Sequence, residues 1–214
     1  MMRGWFPGWQ FSAKPLQPLQ DRLQDSAVQD MALHYADTPL NCEQWLDVQS
    51  EKITGPCELI GWSLGGMLAL ALAQRNPLIT RLNLLHCNVR FAGGPGLPES
   101  VADQFRQRYQ RNPDVTRRRF AALVDSQQPD DLFPLMLSGD HSSTLGWLYE
   151  LDFTDEPLPC PTRVLLAQDD RLVPADTAQK AWLALGADVR LTEGEHSLPW
   201  RDPQRVADWI AEHG

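Results

Sequence analysis

Three short runs that are apolar nearly throughout punctuate the chain, at residues 56–62, 82–87 and 163–167. Such runs, bounded by turn residues and too short for helices, predict strands buried on both faces, as in a parallel sheet. Between the first two runs, residues 65–76 carry Met67, Leu68, Leu70, Ala71 and Leu72 around most of a helical circumference and stop at Asn76-Pro77. That pattern predicts a buried helix closed by its proline. Further helices are expected at 17–23, 41–53, 175–185 and 202–211, and a short last strand at 189–191. Strands alternating with helices predict an α/β fold, a mostly parallel sheet with helices on both faces.

The stretch between the second and third strands has a different character. It opens with Gly93-Gly94-Pro95-Gly96-Leu97-Pro98, continues through Arg-rich helical segments at 99–110 and 115–124, and passes a Pro- and Asp-punctuated passage to Pro161. This is too long for a plain crossover in a compact domain. The expectation is a helical lid, residues 91–159, inserted into a core formed by 1–90 and 160–214.

Composition narrows the class. At 214 residues, 43% hydrophobic and 22% charged, the chain suits one domain, or one domain with a lid, and excludes disordered or fibrous proteins. A net charge of −9 argues against a general binder of nucleic acid or anionic membrane. The N-terminus lacks the apolar stretch of a secretory signal, and the longest apolar run, 67–73, cannot span a bilayer. Cys42, Cys57, Cys87 and Cys160 show no CxxC spacing, so neither a zinc site nor a redox pair is indicated. A cytoplasmic protein with reduced thiols is expected.

The chemistry centres on Gly61-Trp62-Ser63-Leu64-Gly65, a G-x-S-x-G pattern placed between a predicted strand and a predicted helix. There a serine sits on a strained turn that lifts its hydroxyl off the carboxyl edge of the sheet, and the Leu64 N–H faces a developing oxyanion. A base and an orienting acid are expected at the ends of later strands, in the order Ser, acid, His. Asp169 and Asp170 follow the strand at 163–167, and His196 lies in a Gly-containing loop after the last strand. His196 is the preferred base, and Asp170 is preferred over Asp169 as orienter, with Asp125 a minor alternative. His34 precedes the nucleophile, His141 falls in the lid, His213 sits beside the terminus, and His86, at the end of an apolar strand, reads as a satisfied core histidine. A second oxyanion donor is expected from Pro7-Gly8-Trp9-Gln10, through the N–H of Trp9.

With these residues in place, the chain resembles the α/β-hydrolases, and within them the pimeloyl-acyl-carrier-protein methyl ester esterases of biotin synthesis. The resemblance rests on 7–13 with Pro18-Leu19, on Gly61 to Gly66, on Asp170-Arg171-Leu172-Val173-Pro174, and on Gly194-Glu195-His196 with Asp202-Pro203. Pro7 stands where that family carries His, and Gln10 where it carries Gly. The chain also begins almost at this loop, so the usual leading antiparallel strands are expected to be missing. The sheet would then be trimmed, or its edge covered by a partner.

The resemblance implies a serine carboxylesterase with no metal or organic cofactor, acting on the methyl ester of a pimeloyl group on acyl carrier protein. Lid arginines bind the carrier in that family, and this lid offers Arg106, Arg108, Arg111, Arg117, Arg118 and Arg119 against Asp103 and Asp114. A solvated helical face is the plainer reading of the same charges. An acyl thioesterase or general small-ester hydrolase would use the same triad, and a non-catalytic α/β-hydrolase-like binding module is the alternative of another class.

Overall fold

The computed structural model describes residues 1–35 and 38–212. Six strands form one sheet: β1 (Met2–Phe6), β2 (Gln29–Ala32), β3 (Cys57–Trp62), β4 (Ile79–Leu85), β5 (Thr162–Ala167) and β6 (Asp188–Thr192). Their spatial order is β2-β1-β3-β4-β5-β6, and every neighbouring pair is parallel. Every residue of β3 and β5 is buried, as the unbroken apolar runs require of strands covered on both faces. Edge strand β2 is largely exposed.

The sequence pattern leaves β1 and β2 unmarked, and the structure shows why. Arg3 of β1 is buried, and its Nε donates to Glu58 of β3 at 3.1 Å. Glu58 also accepts from Asn83 of β4 at 2.7 Å. A polar ladder therefore crosses three adjacent strands inside the sheet, and its charges disguise β1 as a surface segment. β2 is short and polar because it closes an edge.

The helices of the core are α1 (Gln17–Arg22), α2 (Cys42–Lys52), α3 (Leu64–Arg75), α8 (Ala175–Ala184), α9 (Leu198–Arg201) and α10 (Pro203–Ala211). α2 begins with a capping box between Asn41 and Gln44, and α10 is capped by Asp202 with Pro203 at its first position. α1 packs on α10 and α2 on α3. Between β4 and β5 run α4 (Glu99–Arg111), α5 (Pro113–Val124), the one-turn α6 (Pro129–Leu132) and α7 (Ser142–Glu150). Among the described residues, no helix is long and apolar enough to cross a membrane.

Two glycines let α3 press directly onto the sheet. A Cβ at Gly61 would stand 2.6 Å from the Gly66 Cα, and one at Gly65 would stand 2.5 Å from the Pro7 carbonyl oxygen. No side chain fits either gap, so the spacing of G-x-S-x-G is set by backbone meeting backbone. Gly65→Ala is expected to lower stability by about 2 kcal/mol, in the range of core overpacking; urea denaturation of the two proteins measures it.

Candidate active site

In a parallel sheet all carboxyl ends share one edge, so the loops leaving β1, β3, β4, β5 and β6 converge there. Among the described residues, three other than glycine have positive φ: Gln10 at 70°, Ser63 at 59° and His86 at 49°. Each follows one of these strands. Such conformations cost of order 1–3 kcal/mol each and persist where the surroundings over-determine them.

Ser63 lies between β3 and α3, and its N–H donates to Leu85 of β4 at 2.9 Å. Leu64 opens α3, so its amide has no acceptor within the helix. The loop after β1 lies against this turn, since a Cβ on Gly8 would be 3.4 Å from the Ser63 Cβ. Among the described residues, neither the Trp9 nor the Leu64 amide donates to a backbone carbonyl. The Trp9 ring is held by edge contacts with Phe105, Tyr109 and Phe120 of the inserted helices, at 5.0–5.7 Å between centroids.

His196 and Asp170 meet in the interior. Nδ1 of His196 lies 2.7 Å from Oδ2 of Asp170, and each side chain is 1% exposed. Oδ1 of Asp170 accepts the N–H groups of Leu172 and Val173 at 2.8 and 2.9 Å. Burial by itself raises the Asp170 carboxyl, but the facing His196, its hydrogen bond, the more distant His86 and the Leu172 N–H outweigh it and hold the group below its ordinary value. An ionised Asp170 accepts a hydrogen bond from Nδ1–H, which leaves Nε2 as the ring nitrogen that can accept a proton. That nitrogen is buried and has no hydrogen-bond partner among the described residues. The Trp62 indole donates to the His196 carbonyl at 2.9 Å and fixes the loop.

Ser63, Trp9 and Leu64 line one cavity, otherwise walled largely by apolar side chains such as Met67, Phe105 and Phe120. The remaining candidates lie elsewhere. Asp169 is exposed at the surface. Asp125 pairs with Arg201 at 2.5 Å and does not reach His196. His141 is buried, with Nε2 3.0 Å from the Ser138 carbonyl. The His34 carbonyl accepts from the Trp45 indole. His213 is outside the described residues.

His86 departs from the sequence reading. It is fully buried as expected, but among the described residues both ring nitrogens lack a hydrogen-bond partner, and it lines the same cavity as Ser63. Burial pushes its pKa from 6.5 to about 3, against a pull from Asp170 and with a push from His196. Sequence reasoning also missed Gln10, whose Nε2 donates to the Tyr109 hydroxyl of α4 at 2.7 Å. Its place in a segment where the resembled family carries glycine was the available signal, since the residue there has positive φ. Missed as well were the ties on the loop that carries His196. Glu195 accepts the Ser126 N–H at 2.6 Å and its hydroxyl, and the Ser197 N–H donates to Val124 at 3.0 Å.

The six arginines do not share one face. Arg117 is buried, paired with Asp114 at 3.1 Å, and Arg106 lies 3.5 Å over the Tyr149 ring. Arg118 stacks on Phe133 at 4.4 Å while remaining exposed, and Arg108, Arg111 and Arg119 are exposed.

The sequence profile of the alpha/beta hydrolase family matches residues 4–209, and the chain belongs to that family. Its relatives are more particular. It is 26% identical over 208 residues to a pimeloyl-[acyl-carrier protein] methyl ester esterase of Nitrosomonas europaea, covering 90% of this chain and 77% of that one. It is 30% identical over 186 residues to the esterase of that name from Xylella fastidiosa, covering 77% and 72%. It is 27% identical to the biotin biosynthesis bifunctional protein BioHC of Cellvibrio japonicus, matching 93% of this chain but spanning only 44% of that protein. Among solved structures, an esterase from Exiguobacterium antarcticum superposes with a TM-score of 0.86 at 14% identity, covering all of this chain and 91% of the other, a likeness of fold. The family and the names of its relatives place the chain among the carboxylic ester hydrolases.

Acid stability tests the environment of His86. Between pH 6.5 and about 3 the unfolded chain binds a proton at this ring that the folded chain refuses, so stability falls as pH drops through that window. Denaturation midpoints from pH 7 to pH 4 are expected to fall less steeply for His86→Asn than for the native protein; parallel curves would contradict a buried neutral ring.

Proposed function

We propose that the chain is a serine esterase whose catalytic triad is Ser63, His196 and Asp170. The observation that carries this reading is the buried His196–Asp170 pair, its Nε2 unpartnered, on the same sheet edge as a serine held at positive φ. Ser63 Oγ attacks the ester carbonyl carbon while His196 Nε2 takes its proton. The tetrahedral oxyanion is held by the N–H groups of Trp9 and Leu64, which no backbone carbonyl engages among the described residues. Collapse breaks the bond to the alkoxy oxygen, and the His196 imidazolium gives that oxygen the proton, releasing the alcohol. Water then adds to the acyl carbon with His196 again as base, and the acid leaves as Ser63 Oγ recovers its proton. Asp170 fixes the tautomer and stabilises the imidazolium.

The proposed substrate, which the names of the relatives support, is the methyl ester of a pimeloyl group on acyl carrier protein, with the protein acting in biotin synthesis. The apolar cavity suits the acyl chain, and helices α4 to α7 act as its lid. Exposed Arg108, Arg111, Arg118 and Arg119 meet an acidic carrier, and Arg106 and Arg117 brace the lid from within. The cytoplasm is the compartment in which such a carrier is met.

Ser63→Ala is expected to lower p-nitrophenyl acetate hydrolysis by at least about 10³-fold with folding unchanged, which steady-state kinetics and circular dichroism would show. Reversing charge at Arg108, Arg111 and Arg119 together is expected to lower kcat/KM about tenfold for the carrier-bound methyl ester, leaving p-nitrophenyl acetate hydrolysis untouched. Equal losses on both substrates would contradict carrier docking at the lid.

A further inference from the structure

His86 has no part in the triad, yet it stands beside it. Its N–H donates to Leu165 of β5 at 2.8 Å, and the residue before it accepts the Ser63 N–H. The residue is thus stitched between the strand that delivers the nucleophile and the strand that delivers the acid. Its ring centroid is 6.1 Å from that of His196, with the planes at 53°. Of the described side chains that line the cavity, His86 is the one with buried polar atoms that lack a hydrogen-bond partner among the described residues. Asn88 is satisfied by the Pro95 carbonyl and the Val89 N–H, and Arg90 is paired with Asp152 at 3.4 Å.

Two buried ring nitrogens without partners are a cost unless something in the reaction cycle meets them. The spacing indicates what. Ring nitrogens lie about 1.1 Å from their centroid, so at this centroid distance no nitrogen of one ring comes closer than about 4 Å to a nitrogen of the other, too far for a direct bond, whereas one shared water with two bonds of about 2.8 Å spans such a gap. The ring is neutral and can accept from or donate to that water without placing a second positive charge beside the His196 imidazolium.

We propose that His86 holds the water that hydrolyses the acyl-enzyme. This rests on the reading of Ser63 as the nucleophile. After the alcohol departs, a water takes its place between the two imidazoles. His86 binds it and turns its lone pair towards the acyl carbon, and His196 Nε2 removes its proton as the new C–O bond forms. Collapse breaks the bond between acyl carbon and Ser63 Oγ, the proton passes from His196 to Oγ, and the carboxylic acid is released. Formation of the acyl-enzyme from an ester with a good leaving group does not need this water, so His86 acts on deacylation.

The test separates the two half-reactions. The protein is mixed with p-nitrophenyl acetate, p-nitrophenol release gives the acylation rate, and quenched intact mass follows decay of the acetylated species. His86→Leu keeps bulk and removes the hydrogen bond, and His86→Asn restores a hydrogen-bonding group in a residue that tolerates positive φ. The expected result is acylation within about twofold of the native rate for both variants, an acetyl-enzyme that lasts about tenfold longer in His86→Leu, and a near-native lifetime in His86→Asn. Should the leucine variant fail to fold, His86→Ala takes its place. An unchanged lifetime in the apolar variant, or acylation and deacylation falling together in both variants, would overturn the proposal. Failure of the unmutated protein to release any p-nitrophenol from the ester would remove the nucleophile reading itself, a separate result obtained before any His86 variant is made.

Discussion

The contact on which the site depends is the approach of α3 to the ends of β1 and β3, where backbone touches backbone across Gly61 and Gly65. A helix forced this close must begin immediately after the strand ends, and one residue has to make the reversal. Ser63 makes it at φ 59°. The strain survives because packing on all sides leaves no alternative: α3 is buried from Leu64 to Ala73, and the Ser63 amide is tied to β4. The same geometry turns the open amide end of α3 towards whatever the serine holds.

Two layers of restraint then fix the partners. Below, the parallel sheet brings the loops after β5 and β6 to this edge, and Asp170 locks His196 with a carboxylate whose other oxygen is already occupied by two amides. Above, the inserted helices grip both critical loops. Gln10 and Trp9 are bound to Tyr109 and its aromatic neighbours, and the loop carrying His196 is pinned through Glu195 and Ser197 to the end of α5. The insertion therefore does more than cover the cavity. It sets the position of a candidate oxyanion donor and of the candidate base, and a movement of these helices would be felt at both.

Much of this was legible in the sequence because the decisive segments are extreme. β3, α3 and β5 are apolar beyond what a surface element allows, and the serine, acid and histidine follow strands at recognisable turns. What escaped notice did so for physical reasons. β1 hides behind Arg3, whose charge is neutralised by a glutamate 55 positions away. His86 looks like any histidine ending a buried strand, and only the structure shows that its nitrogens have no hydrogen-bond partner among the described residues. The arginine run gave its charge but not its faces: helical periodicity and tertiary packing turn Arg117 inward onto Asp114 and Phe133 and leave Arg119 exposed.

The most direct measurement is covalent labelling with a fluorophosphonate, followed by peptide mapping of the modified protein. One adduct per chain is expected, on the peptide carrying Ser63, formed more slowly when His196 is replaced by alanine. A folded protein that takes no adduct, or takes it at another residue, would contradict the assignment of this strained turn as the seat of the chemistry.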